Sequence, residues 1–220
     1  MRYAAFETSS RRPSVAVRDG ERLAARSLDG ERPHASDLLP ACDSALRELG
    51  LGPAEIDVVV VGTGPGSYTG LRVGIATALG LARGCGAELV GLCSLEAVVW
   101  GGLAVGREAG VLLDARASEL YFARYRRGAE RLEVVTAPCV LARPALSDAL
   151  PPDLALFSDA AGLRAAGLAD DGTREILPAT PRATDLLELG AEYFAREGAM
   201  APEQIEPLYL RAFAGQPRKR

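Results

Sequence analysis

Apolar and polar residues alternate along the first quarter of the chain in a pattern that predicts three strands followed by a helix. The predicted strands are Tyr3–Phe6, Ser14–Arg18 and Leu23–Ser27. Turn-forming residues separate these strands, so we expect an antiparallel meander. The helix is predicted over Ser36–Leu49, because its apolar residues fall on one face and its charged residues on the other. Gly50 and the Gly52-Pro53 pair are expected to end it.

A strand, helix, strand, helix order follows, and it predicts an α/β domain. The predicted elements are a strand at Asp57–Val61, a helix at Gly70–Arg83, a strand at Leu89–Leu92 and a helix beginning near Ser94. Glycines dot the next stretch, from Gly101 to Gly110. We therefore predict that a first domain ends there, and we place it at residues 1–105.

The remaining residues predict a second, shorter set of the same elements. The predicted strands are Val111–Ala115, Leu120–Arg126, Arg131–Thr136 and Leu154–Phe157. A segment from Pro138 to Pro152 precedes the last strand, and a helix is predicted over Ala183–Gly198. Because no sequence identity links the two halves, the element order alone indicates that residues 106–220 form a second, degenerate domain of the same kind.

The most informative segment is the glycine-rich run Gly62–Gly74, which joins a predicted strand to a predicted helix. Such a turn aims free backbone N–H groups at whatever lies above it, and that is usually an anion. The run does not match a P-loop, because it contains no lysine. It does not match a dinucleotide fingerprint either. Ser67 or Thr69 would stand at the third glycine, and the acidic residue, Glu88, precedes the next strand.

Composition limits the partners and the compartment. The 220 residues carry a net charge of −4 and a pI near 5.2, so the chain is not expected to hold nucleic acid by itself. Hydrophobic residues make up 48% of the chain at a mean hydropathy of +0.07, which indicates a soluble globular protein. We interpret the basic end, Arg218-Lys219-Arg220, as a solvated terminus.

The cysteines and the N-terminus indicate a cytoplasmic protein. The four cysteines form no Cys-x-x-Cys pair and have no metal-ligand spacing, which predicts free thiols in a reducing cytosol. Met1-Arg2 leads directly into a strand, so we expect no signal peptide. Charged residues or glycines interrupt every apolar run, so no membrane partner is expected either.

Three separated segments resemble the signatures of one protein family. They are Gly-Pro-Gly-Ser-Tyr-Thr-Gly-Leu-Arg-Val-Gly at 64–74, Asp114-Ala115-Arg116 with the nearby Glu119-Leu120-Tyr121, and Pro207-Leu208-Tyr209-Leu210-Arg211. The family they resemble is the TsaB (YeaZ-type) family, which was long classed with glycoprotease-like proteins. The resemblance implies an α/β fold of the actin-like, sugar-kinase-like type, a ribonuclease H-like architecture of duplicated domains with mixed sheets flanked by helices.

ATPases of this superfamily usually carry an Asp-x-Gly-Thr pattern after the first strand, where the backbone approaches the phosphates. The corresponding place here is Glu7-Thr8-Ser9, so the acid is a glutamate and the glycine is missing. A side chain at that position blocks a close approach of the backbone to phosphate. The resemblance therefore implies a vestigial nucleotide loop at Glu7, Thr8 and Ser9, with weak ATP or ADP binding at most and no required cofactor. A structural role for Glu7 is favoured over Mg²⁺ binding.

His34 is the single histidine, whereas the catalytic paralogue of this family binds metal through a His-x-x-x-His pair. Leu38 stands four residues on, so neither a metal site nor metal catalysis is expected. Without a histidine base, Ser67 is not expected to act as a hydrolase nucleophile. We expect His34 to precede the first helix, just before an N-cap at Ser36.

The predicted helix after the glycine turn is apolar around most of its circumference, so it must bury more than one face. Gly70 and Gly74 lie on a small-residue side that a second helix could approach closely. Either the first predicted helix or another subunit could cover that side. Members of the family are thought to pair through these two helices, so the resemblance favours a subunit contact. The expected contact residues are Leu38, Leu39, Cys42, Leu46, Tyr68, Thr69, Gly70, Arg72, Val73, Gly74, Thr77 and Leu81.

The resemblance implies a non-catalytic subunit that supports tRNA N6-threonylcarbamoyladenosine modification. Such a subunit binds a TsaD-like catalytic paralogue, acts with a TsaE-like ATPase, forms a homodimer when alone, and meets tRNA only through the complex. Three alternatives stay open. They are an ATP-binding small-molecule kinase of the same fold, a glycoprotease-like metallopeptidase, and a homodimeric nucleotide-binding module.

Overall fold

A computed structural model of the chain describes residues 1–28, 37–116 and 119–211. Two five-stranded sheets organise this part of the chain. The strands of the first sheet are β1 (Arg2–Glu7), β2 (Ser14–Asp19), β3 (Arg22–Ser27), β4 (Val58–Gly64) and β5 (Glu88–Cys93). The strands of the second sheet are β6 (Glu108–Arg116), β7 (Glu119–Arg127), β8 (Leu132–Ala142), β9 (Ala155–Ser158) and β10 (Ile176–Pro178). The helices are α1 (Leu38–Glu48), α2 (Tyr68–Cys85), α3 (Ser94–Gly102), α4 (Leu146–Ala149), α5 (Ala160–Ala166) and α6 (Ala183–Glu197).

The first sheet has the strand order β3-β2-β1-β4-β5. The predicted meander is confirmed as its antiparallel part, in which Ala5 of β1 lies opposite Ala16 of β2. On the other side, β1 runs parallel to β4, and β4 runs parallel to β5. Val58–Val61 of β4 are fully buried, as expected for a parallel strand with a layer packed on each face.

Helices α1 and α2 cover one face of the first sheet. Phe6 of β1 and Val61 of β4 lie in one buried cluster with Leu46 of α1 and Ile75 of α2. Side chains alternate between the faces of a strand, so the neighbouring residues of β1 and β4 point to the other face. The strands and this cluster together fix which side of α2 faces inward.

The opposite face of the first sheet is covered by α6, which comes from the end of the chain. Leu186 and Leu187 of α6 are buried in one cluster with Val60 of β4. The helix approaches closely at Gly190, where an added Cβ would lie 2.6 Å from Val60 Cγ1. A helix of residues 106–220 thus packs on the sheet of residues 1–105, and the proposed division into two domains at that point stays a prediction.

The second sheet has the strand order β10-β9-β6-β7-β8. Strand β6 is antiparallel to β7 and parallel to β9, which makes this sheet mixed like the first. Helix α3 packs on it, since Leu95 and Val99 are buried with Val111 of β6 and Tyr125 of β7. Helix α3 also contacts α6, so the two sheets share a helical layer.

Gly101 and Gly102, the first glycines of the stretch where we predict that the first domain ends, belong to α3. A Cβ added to Gly101 would lie 2.4 Å from Asp185 Cγ, and one added to Gly102 would lie 2.6 Å from Phe157 Cε1. These two glycines therefore permit close packing of α3 against α6 and β9. Strand β8 also extends past the predicted end at Thr136, and it tolerates an internal proline because it is an edge strand.

Helix α1 begins at Leu38 with Asp37 at its N-cap. His34, the predicted N-cap Ser36 and the basic end at 218–220 lie outside the described residues. Elements α4, α5 and β10 have three to seven residues, which is too short for a period to predict them. Within the described ranges, every helix is too short or too polar to cross a lipid bilayer.

Candidate functional site

The glycine-rich turn carries the chain from the end of β4 to the start of α2. Gly64 has a φ of 99°, a backbone conformation that glycine adopts without strain. A Cβ added there would also lie 2.7 Å from Leu71 Cδ1. The Ser67 hydroxyl then caps α2 by accepting a 3.2 Å hydrogen bond from Gly70 N. This cap explains why the helix begins at Tyr68, two residues before its predicted start.

The loop after β1 packs directly on this turn. Glu7, Thr8 and Ser9 are all buried. Ser67 N donates a 2.7 Å hydrogen bond to Ser9 O, and Thr8 Oγ1 donates one of 2.8 Å to Gly70 O. The turn therefore holds a segment of its own chain at the place where the sequence predicts an anion.

Three glycines of the turn and helix make room for that loop. A Cβ added to Gly66 would lie 2.2 Å from Ser9 O, and one added to Gly70 would lie 2.2 Å from Thr8 O. A Cβ added to Gly74 would lie 2.1 Å from Thr8 Oγ1. The expectation that Gly74 offers a small-residue side to a partner is thus corrected, while Gly70 stays partly accessible. Their side of α2 faces the protein's own β1–β2 loop.

Glu7 lies at the centre of this packing and is fully buried. Its Oε1 accepts a 2.7 Å hydrogen bond from Ser9 N, whereas Oε2 has no hydrogen-bond partner in the described part of the chain. Burial raises the pKa of Glu7, and its hydrogen bonds with Ser9 oppose this only in part. A carboxyl group that disfavours its charged form and is closed off from solvent is better suited to a structural role than to holding Mg²⁺.

The outward side of α2 has a different character. Ala76, Gly80 and Gly84 are exposed and follow one another at intervals of four residues, and we call these three residues the outer stripe. Apart from the nearby backbone of α2 itself, no atom of the described residues lies within 4 Å of a Cβ added to Gly80 or Gly84. Ala76 is two residues from Gly74, so it lies about 200° around the helix from that buried glycine. Each further step of four residues turns by about 40°, which places Gly80 about 240° and Gly84 about 280° from Gly74 in the same direction.

The C-terminal segment, residues 207–211, brings the three family-like segments together. Leu208 N donates a 2.8 Å hydrogen bond to Thr63 O beside the glycine turn. The Tyr209 ring stacks on Tyr68 with centroids 5.0 Å apart, and its hydroxyl accepts a 2.8 Å hydrogen bond from Arg72 Nε.

Arg211 extends this tie to the second sheet. It donates a 2.7 Å hydrogen bond from a guanidinium nitrogen to Ala115 O and pairs with Glu119 at 2.7 Å. Segments that are far apart in sequence therefore form one continuous surface at this edge of the molecule.

Comparisons with known proteins agree with this arrangement. The family model described as TsaD, tRNA N6-adenosine threonylcarbamoyltransferase, matches residues 29–167. The Escherichia coli tRNA threonylcarbamoyladenosine biosynthesis protein TsaB is 30% identical over 230 residues, which covers 96% of this chain and 95% of that protein. The structure of YeaZ from Pseudomonas aeruginosa gives a TM-score of 0.80 at 25% identity and covers 95% of this chain and 99% of that chain. The chain belongs to the TsaB/YeaZ family.

The family resemblance and the predicted actin-like α/β fold class are thereby confirmed. A protein of Mycobacterium tuberculosis, itself described as uncharacterized, is 42% identical over 130 residues, or 58% of this chain. The chain spans 60% of the length of that mycobacterial relative.

The structure divides the expected TsaB-type contact residues into two groups. Four of these residues are buried within the protein's own core and are not available to a partner: Leu38, Cys42, Leu46 and Gly74. Their inclusion is corrected, because helical periodicity groups residues on a face without showing what covers it. The residues that stay at least partly accessible are Leu39, Tyr68, Thr69, Gly70, Arg72, Val73, Thr77 and Leu81. For them the subunit contact stays a prediction.

Sequence reasoning missed the outer stripe of this TsaB-type chain. A signal was present, because Ala76, Gly80 and Gly84 repeat every four residues inside a helix, where each glycine costs stability. Among the described residues, no three acidic, histidine or cysteine side chains lie together in a way that could hold a metal ion. His34 is outside these residues, so the expectation of no metal site stays a prediction.

Proposed function

We propose that this protein is a non-catalytic partner subunit in tRNA N6-threonylcarbamoyladenosine modification. It docks on a TsaD-like catalytic subunit through the outward side of α2, acts with a TsaE-like ATPase, and pairs with a second copy of itself when alone. The name of the Escherichia coli relative, which is 30% identical over 96% of this chain, supports the pathway. The outer stripe is the observation that carries the docking proposal.

The outer stripe supports docking because nothing in the described monomer accounts for its glycines. A helical glycine costs about 1 kcal/mol relative to alanine. Gly80 and Gly84 have open space where a side chain could stand, so packing within the chain does not require them. Small residues four apart let a second helix approach closely. Leu39 of α1, which is 51% exposed, adds an apolar side chain on the same side of the first sheet.

A non-catalytic role is supported by the packing around Glu7. In an ATP-using relative of this fold, the backbone after β1 approaches the phosphates. Here Thr8 and Ser9 are buried against the glycine turn, and Glu7 disfavours its charged form. The same packing argues against the small-molecule kinase alternative. The subunit then acts by binding the active state of its catalytic partner more tightly than the inactive state.

The docking proposal is tested by adding one arginine to either of two exposed helical alanines. Ala76→Arg places the new side chain in the outer stripe. Ala195→Arg is the matched control, because Ala195 is also exposed but lies on α6, on the opposite face of the first sheet. Both variants should unfold at the temperature of the parent protein, since neither alanine is buried.

Calorimetric titration with a purified TsaD-like protein from the same organism then separates the variants. We expect Ala76→Arg to weaken binding at least tenfold, which is about 1.4 kcal/mol, and Ala195→Arg to leave it unchanged. Size-exclusion chromatography with light scattering should show the same contrast for self-association. Parent-like binding by a folded Ala76→Arg protein would contradict the proposed docking side.

A further inference from the structure

We infer that one edge of this protein forms a basic face that contacts the phosphate backbone of tRNA when the chain is docked on its catalytic partner. The face consists of Arg11, Arg12, Arg72 and Arg116, all of which are exposed. Arg72 is thereby assigned to RNA instead of to the subunit contact that the family resemblance implies for it. This inference rests on the proposed function, since it gives this chain a direct part in holding the RNA on which the complex acts.

The fold places these arginines at one edge through contacts already described. Ser9, two residues before Arg11, accepts a 2.7 Å hydrogen bond from Ser67 at the start of α2. Arg72 lies in the first turns of that helix. Arg211, two residues after the Tyr209 that Arg72 contacts, donates to Ala115 O, the neighbour of Arg116. Burial raises the pKa of Tyr121, and the nearby charges of Arg211 and Arg116 partly oppose this rise.

The charges on this face lack the carboxylate partners that arginines have elsewhere in the molecule. Arg22, Arg47 and Arg107, for example, each pair with an aspartate or glutamate. Within the described ranges, Arg11, Arg12 and Arg116 form no ion pair. Two acidic residues lie nearby, but Glu119 pairs with Arg211, and Asp114 Oδ1 accepts a 2.7 Å hydrogen bond from Arg116 N. With Arg211 included, five arginines at this edge outnumber these two carboxylates, so the face is positive on a chain whose net charge is −4.

Arg72 is held in place before any ligand arrives. Its guanidinium carbon lies 4.3 Å from the centre of the Tyr68 ring, and its Nε donates to the Tyr209 hydroxyl at 2.8 Å. A guanidinium group that is fixed in this way loses little freedom when it binds phosphate, for which its planar shape is well suited.

The arrangement favours RNA over other anions. The four arginines come from a loop, a helix and the end of a strand, which the contacts described above join along one edge. An extended polyanion can meet all of them at once, whereas a single phosphate cannot. The net negative charge of the chain explains why this face needs the assembled complex to hold RNA.

The test compares two variants that each lose two exposed arginines. Arg11→Ala with Arg12→Ala removes half of the face without touching the outer stripe. Arg131→Ala with Arg164→Ala is the control, because these two arginines are also exposed and form no ion pair in the described part of the chain. Binding of each variant to the TsaD-like protein is measured first, and fluorescence anisotropy of labelled tRNA on the assembled complex follows over a series of salt concentrations.

We expect both variants to assemble normally. The Arg11 and Arg12 variant should bind tRNA about tenfold more weakly at low salt, and its plot of log affinity against log salt should flatten by about one unit per lost phosphate contact. The control should keep the parent slope. A parent-like slope in the Arg11 and Arg12 variant overturns the inference while leaving the proposed docking intact. Loss of binding of the Arg11 and Arg12 variant to the TsaD-like protein would show that the face contacts protein, and it would also overturn the inference. Failure of the parent chain to assemble defeats the proposed function itself.

Discussion

Glycines occur towards both ends of α2, but for different reasons. At the N-terminal end, Gly70 and Gly74 are small because the chain's own Thr8 lies where their side chains would stand. At the C-terminal end, Gly80 and Gly84 face open space. The first pair is explained by the fold of the monomer. The second pair lowers the stability of the helix, and no packing contact within the described monomer requires it. We therefore attribute the first pair of glycines to folding and propose docking as the reason for the second pair.

The largest expected effect is at the N-terminal end of α2, which we call the closed end because Thr8 covers its glycines; the C-terminal end is the open end. Gly74→Ala should lower the free energy of unfolding by about 1–3 kcal/mol, because the new methyl group would lie 2.1 Å from Thr8 Oγ1. Urea denaturation followed by circular dichroism measures the change. Adding Thr8→Ala to the same protein removes the clashing oxygen and should recover part of the loss. A Gly74→Ala protein as stable as its parent would break the comparison at this end.

The open end should respond to the same substitution with the opposite sign. Gly80→Ala should raise the free energy of unfolding by about 1 kcal/mol, since alanine is the better helix former and has free space there. The same urea titration checks it. Destabilisation by Gly80→Ala would mean that something covers this position in the monomer.

Acidity provides a test of the closed end alone. The pKa of Glu7 is raised above 4.5 in the folded protein. As the pH rises from 4.5 towards this raised value, Glu7 ionises in the unfolded state but not yet in the folded state. The free energy of unfolding therefore falls over this pH range. Glu7→Gln removes this loss, so its stability relative to the parent should grow from acidic to neutral pH. Denaturant titrations at several pH values measure the trend. A difference that does not vary with pH would show that Glu7 ionises normally.

The smallest expected effect is local, at the C-terminal segment that ties down the start of α2. Tyr209→Phe keeps the ring stacked on Tyr68 but removes the hydroxyl that accepts from Arg72. We expect faster hydrogen exchange at the Leu208 amide, which donates to Thr63 O, with global stability little changed. An unchanged rate of hydrogen exchange at Leu208 would mean that ring stacking alone holds the C-terminal segment on α2.

The sequence was sufficient to predict the longer strands, the long helices and the glycine turn, because each has a regular spacing of apolar residues or turn-forming residues at its ends. It could not show which side of α2 faces inward. Periodicity places Gly74 and Ala76 on different sides, but only the packing of Thr8 on Gly74 shows which side is closed. For the same reason, an amphipathic pattern predicted α6 but not that its Leu186 would cover the first sheet. The family-like segments were visible separately, while their meeting through Tyr209 and Arg211 depends on the fold.

The most direct test of the account measures folding and docking on one variant, Gly80→Leu. Leucine is a good helix former and has open space at this position, so the free energy of unfolding should equal or exceed that of the parent. The same side chain should hold a second helix away from the outer stripe, so affinity for the TsaD-like protein should fall at least tenfold. Parent-like affinity in a stable Gly80→Leu protein would contradict the assignment of this end of α2 to recognition.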